Sequence, residues 1–207
     1  MTLDPLTLSP VMPVVKISKP EYALPIAEAL LEGGIATIEV TLRTACGLAA
    51  IEEIASKLPE MKVGAGTITE RSQLSQCRDS GALFGLSPGA TEGLLMGASD
   101  MDWPFVPGVA TASEIMMAMD HGYTSLKFFP AQASGGVAML KSFSGPFASI
   151  RFCPTGGVTP GNLKDYLSLS NVSCVGGTWL TPQDLVESGQ WQAISQRCQE
   201  ALDICRQ

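Results

Sequence analysis

Ser125-Leu126-Lys127-Phe128-Phe129-Pro130 sets a single lysine inside an aromatic, strand-like run. An ammonium group there is poorly hydrated and must lose its proton, find a partner, or snorkel to water along its apolar stem. Which of these applies depends on the element that carries the run. Upstream, Phe105 to Gly108 reads as a brief strand followed by a helix from Ser113 to Asp120; downstream, a helix is expected across Gly136 to Ser142. The lysine run is therefore a strand between two helices.

The same alternation extends to both ends of the chain. Strands are expected at Val11 to Ile17, Ile35 to Leu42, Val63 to Thr67 and Ala82 to Leu86, with helices over Pro20 to Glu32, Ala45 to Leu58, Glu70 to Asp79 and from Thr91 to Ala98. After the lysine run come strands at Ile150 to Pro154 and Val172 to Val175, each leading through a glycine pair into a helix. Eight βα units without a linker or charge run predict an α/β protein, a parallel sheet closed into a (β/α)8 barrel, with residues 1–207 as a single domain. An open doubly wound sheet fits less well, because Ser18-Lys19-Pro20 offers no GxGxxG turn after the first strand.

Composition narrows the class. Hydrophobic residues make up 45% and charged residues 16% of 207, as in a globular chain, and no apolar run approaches a membrane span. A net charge of −7 argues against a nucleic-acid surface. Met1 to Pro10 has no basic region followed by an apolar core, so the cytoplasm is the expected compartment. Cys46, Cys77, Cys153, Cys174, Cys198 and Cys205 are scattered without a CxxC pair and read as reduced thiols. His121, the only histidine, stands where a helix ends, so a histidine-built zinc site is not expected.

Parity along each strand assigns side-chain direction. In the second strand Ile38, Val40 and Leu42 suit the helix side, which turns Thr37, Glu39, Thr41 and Arg43 inward. In the sixth, Leu126 and Phe128 go under the helices while Ser125, Lys127 and Phe129 face inward. Lys127 and Glu39 are then expected to meet near the C-terminal ends of their strands, the face where barrel chemistry occurs; a purely structural ion pair is the competing reading. Gly64-Ala65-Gly66-Thr67, Ser87-Pro88-Gly89 and Pro107-Gly108 end strands on that face. Thr155-Gly156-Gly157 and Gly176-Gly177-Thr178 follow strands seven and eight, where barrels commonly bind phosphate through backbone N–H groups. A desolvated lysine beside a glutamate can form a Schiff base with a carbonyl substrate while the carboxylate moves protons. Arg43 and Thr67 suit a carboxylate and the glycine loops a phosphate, so a phosphorylated 2-oxo acid satisfies all of them.

These motifs, Glu39-Val40-Thr41-Leu42-Arg43-Thr44, Gly64-Ala65-Gly66-Thr67, Ser87-Pro88-Gly89, Lys127-Phe128-Phe129-Pro130, Cys153-Pro154-Thr155-Gly156-Gly157 and Gly176-Gly177-Thr178-Trp179, resemble the 2-keto-3-deoxy-6-phosphogluconate aldolase family from about Val11 to Leu180. The resemblance implies a cofactor-free class I aldolase that cleaves the phosphorylated 2-oxo sugar acid to pyruvate and glyceraldehyde 3-phosphate. It implies Lys127 as Schiff-base residue, Glu39 as general acid/base, Arg43 and Thr67 at the pyruvate carboxylate, and Gly156, Gly157, Gly177 and Thr178 near the phosphate. Pro88 and Phe129 would line the pocket, and Thr155 would help set stereochemical preference. Family members are usually homotrimers, and many also act on 4-hydroxy-2-oxoglutarate. Thr178 stands where the family more often has serine. The galactonate epimer as substrate, a metal-dependent aldolase, a phosphate-binding barrel isomerase and a noncatalytic phosphate-binding barrel are the alternatives.

Overall fold

The computed structural model describes residues 3–206. A 3-10 turn at Pro5–Thr7 leads into β1 (Val11–Val15), and a second at Pro20–Tyr22 opens α1 (Ala23–Glu32). There follow β2 (Thr37–Thr41), α2 (Gly47–Lys57), β3 (Lys62–Gly66), α3 (Arg71–Asp79), β4 (Phe84–Leu86) and α4 (Glu92–Asp100). Next come β5 (Phe105–Val106), β6 (Gly108–Val109), α5 (Ala112–Asp120), β7 (Ser125–Phe128), α6 (Gly136–Phe143) and β8 (Arg151–Pro154). The chain ends with α7 (Leu163–Leu167), β9 (Val175–Gly177), α8 (Gln183–Glu187) and α9 (Trp191–Arg206).

All strand pairs are parallel. Six strands form a sheet in the order β5-β4-β3-β2-β1-β9, curled into a half-barrel, and three form a second sheet in the order β6-β7-β8. Single bridges, Phe152 to Val172 and Thr155 to Gly176, bring β8 alongside the approach to β9. At the other side β5 and β6 are separated by one residue, Pro107. The fifth strand expected at Phe105 to Gly108 is thus two short pairs. Proline has no N–H to give to a ladder, and the Pro107 carbonyl instead accepts from the Lys127 N–H at 2.9 Å.

The eighth strand also differs from expectation. Val172 makes only a bridge, whereas Gly176 and Gly177 lie inside β9, paired with Met12 and Pro13. Glycine is a poor strand former, so composition favours the valines upstream, whereas pairing with β1 places the strand over the glycines. A Cβ on Gly176 would collide with the Thr155 hydroxyl, and one on Gly177 with the Trp179 ring. Side chains from neighbouring segments fill the room these glycines leave.

Two sets of buried side chains follow the parity rule. Ile38, Val40, Val63, Ala65, Leu126 and Phe128 pack with the helix residues Ile26, Leu30, Ile51, Leu74, Ile115 and Leu140. Met12, Phe84, Leu86, Val106, Cys153 and Cys174 form a separate cluster closed by Leu6 from the first 3-10 turn. Each large apolar side chain so buried is worth roughly 1.5–3 kcal/mol. Helix starts are capped locally: Thr111 accepts from the Glu114 N–H at 3.3 Å, and Glu114 accepts from the Thr111 N–H at 2.8 Å. Thr91 caps α4 by accepting from the Leu94 N–H, and His121 closes α5 before Gly122 at φ 83°. All six cysteines are free thiols, and among the described residues no helix is long and apolar enough to cross a membrane.

Candidate active site

Lys127 and Glu39 meet. The Lys127 Nζ lies 2.8 Å from Glu39 Oε1 and 3.2 Å from Oε2, with side chains only 4% and 1% exposed. Neither charge has access to bulk water, so each depends on the other: removing one partner of such a pair costs about 3–5 kcal/mol. The pair is assembled from β2 and β7, whose alternation points both groups to the same side. The Nζ also stands 5.6 Å from the centroid of the Phe129 ring. Lys16, another lysine near a strand end, is exposed.

Room for Glu39 comes from β3. Its partner in register is Gly64, and a Cβ on Gly66 two residues on would overlap the Glu39 carboxylate. The small residues at this strand end therefore accommodate a side chain of the site itself. Thr41 and Thr37 satisfy their hydroxyls on neighbouring carbonyls, of Val15 at 2.9 Å and Lys62 at 3.2 Å.

Above the pair opens a cavity of about 300 Å3, lined by Arg43, Thr67, Pro88, Lys127, Phe129, Thr155, Gly156 and Thr178. Arg43 lies beyond the end of β2 and donates from Nε to the Thr67 hydroxyl at 3.2 Å. Thr67 has φ 62°, a left-handed backbone that is strained for a β-branched residue and costs on the order of 1–3 kcal/mol. Pro88 is set by its neighbour: the Ser87 hydroxyl donates to Gly89 O at 2.7 Å and accepts from the Gly108 N–H at 3.3 Å. That clamp ties the end of β4 to the start of β6, and Ser87 carries no sequence signal beyond a turn.

Thr155 bonds to the carbonyl of Cys153 at 3.4 Å. Beneath it lie the buried thiols of Cys153 and Cys174. The neighbouring Cys174 thiol holds Cys153 below its ordinary pKa against burial, with help from the charge of Lys127, and the same pairing together with burial drives Cys174 well above. Three of the expected residues do not line the cavity. Glu39 lies behind Lys127, Gly177 sits under the Trp179 ring, and Gly157 packs against Gln132.

A buried amine hydrogen-bonded to a carboxylate, at the floor of a cavity with a guanidinium on its wall, is the kind of site that suits an enzyme working on a carbonyl group next to an anion. The family model for KDPG and KHG aldolases matches residues 4–197. The KHG/KDPG aldolase of Escherichia coli (strain K12) is 48% identical over 198 residues, covering 96% of this chain and 93% of that protein. A solved KDPG aldolase from Legionella pneumophila, with pyruvate captured as a covalent carbinolamine intermediate, superposes with a TM-score of 0.92 at 44% identity, covering 94% of each chain. The KDPG aldolase of Zymomonas mobilis ZM4, solved with 3-phosphoglycerate, gives a TM-score of 0.89 at 42% identity, covering 95% of this chain and 92% of that one. The chain belongs to the KDPG and KHG aldolase family and is an aldolase.

Proposed function

We propose that this chain is a class I aldolase that cleaves 2-keto-3-deoxy-6-phosphogluconate to pyruvate and D-glyceraldehyde 3-phosphate, and that also acts on 4-hydroxy-2-oxoglutarate. The observation that carries the reading is the buried Lys127–Glu39 pair, whose lysine lines a cavity whose other polar residues suit the two ends of the substrate. Relatives named for the same two substrates support it.

In this reading Glu39 takes a proton from the Lys127 ammonium across the 2.8 Å contact, and the free amine adds to the C2 carbonyl to form a carbinolamine. Glu39 returns the proton to the departing hydroxyl, water leaves, and an iminium remains. The carboxylate then removes the C4 hydroxyl proton as the C3–C4 bond breaks, and the electron pair of that bond flows into the iminium to give an enamine. Glyceraldehyde 3-phosphate departs, C3 is protonated, and water hydrolyses the iminium to pyruvate and free lysine. Arg43 and Thr67 hold the C1 carboxylate, Gly156, Gly157, Gly177 and Thr178 the phosphate, Pro88 and Phe129 the flanks, and Thr155 lies where the C4 configuration is read.

The purified protein should release pyruvate from the phosphogluconate derivative in an NADH-coupled lactate dehydrogenase assay, undiminished by a chelator and faster than from the galactonate epimer. Turnover that requires a divalent cation would overturn the class I assignment. Arg43→Ala should raise KM for both 2-oxo acids about tenfold or more, because a charge-assisted bond to the shared carboxylate is lost. An unchanged KM would remove Arg43 from the carboxylate site.

The reading includes a closed (β/α)8 barrel over residues 1–207 as one domain, supported by the bridges from β8 to β9 and the one-residue interval between β5 and β6. It also includes a cytoplasmic homotrimer. Six free thiols suit a reducing compartment, and exposed Met96, Met116, Met117 and Met119 on α4 and α5 supply apolar surface for subunit contact. A sedimentation mass of one chain would overturn the trimer.

A further inference from the structure

The loop between β8 and α7 is tied down through its carbonyls. Thr155 O accepts from the Ala131 N–H at 2.8 Å and Gly156 O from the Gln132 N–H at 3.0 Å. Gly157 O accepts from Asn162 Nδ2 at 3.0 Å, while Asn162 Oδ1 accepts from the Thr159 N–H at 2.8 Å. The first two donors are backbone groups of the segment after β7. The third is a side chain, so only that restraint can be altered without moving the chain.

Gly156 and Gly157 have φ of 95° and 81°. The Gln132 Cβ stands 2.5 Å from where a Gly157 Cβ would lie, so the loop is also wedged from behind. Among the described residues no acceptor is in hydrogen-bonding geometry with the N–H of Gly157 or Val158. With three successive carbonyls engaged, N–H donors are what remain beside Gly156 at the cavity wall, an arrangement suited to an anion.

We infer that Asn162 is the positioning residue of the phosphate site: it holds the Gly157 carbonyl so that the loop presents donors, without touching the substrate. The inference rests on the phosphate assignment proposed above. A Gly157 carbonyl released from Asn162 would be free to rotate toward the anion and repel it.

Two variants separate this role from others. Asn162→Asp replaces the Nδ2 donor with an oxygen but keeps an acceptor for Thr159. Asn162→Ser also keeps an acceptor, is too short to reach Gly157, and adds no charge. Both should raise KM for the phosphorylated sugar acid roughly tenfold and weaken competitive inhibition by inorganic phosphate by a similar factor. The rate at which the C3 methyl of pyruvate exchanges deuterium with solvent should change by less than about twofold, because pyruvate has no phosphate end.

A rise in KM confined to the Asp variant would show charge repulsion in place of a clamp and overturn the inference. Unchanged KM values, or equal losses in cleavage and pyruvate exchange, would overturn it as well. If one variant does not fold, the other carries the same expectations. Failure of the wild-type protein to cleave the phosphorylated acid, or to be inhibited by phosphate, would instead strike the proposed function.

Discussion

Borohydride added to the protein in the presence of pyruvate should fix a three-carbon adduct on Lys127, and Lys127→Arg should take up none while losing turnover by a factor on the order of 10⁴ or more. The reasoning is geometric. The Lys127 amine sits on the cavity floor with a proton acceptor 2.8 Å away, so the neutral nucleophile can be generated in place. Arginine keeps the positive charge opposite Glu39 but has no amine that condenses with a ketone, so the variant isolates the chemistry from the ion pair. Peptide mapping decides the site: Lys16, exposed at the end of β1, is the rival. An adduct there, or none, would end the assignment of Lys127 as nucleophile.

Glu39→Gln should lower kcat by roughly 10²–10⁴ while altering pyruvate affinity little, because the carboxylate is assigned to proton transfer and not to binding. The substitution is nearly isosteric, and the amide oxygen still accepts from the Lys127 Nζ. It also leaves a buried ammonium without its counter-charge, so a loss on the order of 3–5 kcal/mol in stability is expected and should appear as a fall in Tm. Pre-formed protein at low temperature therefore gives the cleaner kinetic comparison. Parallel losses of kcat and pyruvate binding would mean that the pair is structural.

Much of this site is legible from alternation alone. Strand residues change sides every position, so Glu39 and Lys127 share a side with no knowledge of the helices, and β2 and β7 bring them together. Arg43 and Thr67 emerge from the same counting, although Arg43 lies past the strand and Thr67 needs a backbone conformation that no periodicity predicts. Parity says nothing of the glycines, which have no side chain to point. Gly66 reads only as part of a strand end and Gly176 as part of a phosphate loop, yet they make way for Glu39 and Thr155, which only the packing between neighbouring strands reveals. Asn162 left no trace, since a side-chain bond to a carbonyl five positions back is set by the loop and not by composition. The last strand differs for a related reason: two of its three pairing residues are glycines, and Val172, at the head of the β-branched signal, lies outside it.

The missing Cβ at position 66 has an evolutionary corollary. Any side chain there must dislodge the Glu39 carboxylate, so the two positions are not independently variable. Gly66→Ala should cost nearly as much turnover as Glu39→Gln, and the double variant little more than the worse of the two, a strong epistasis that a double-mutant cycle measures. Additive losses would mean the carboxylate escapes the intruding methyl. In a lineage drifting away from this reaction, loss of Glu39 would release position 66 from its constraint. A larger residue at position 66 in a descendant would then mark a chain that has abandoned proton transfer at this carboxylate.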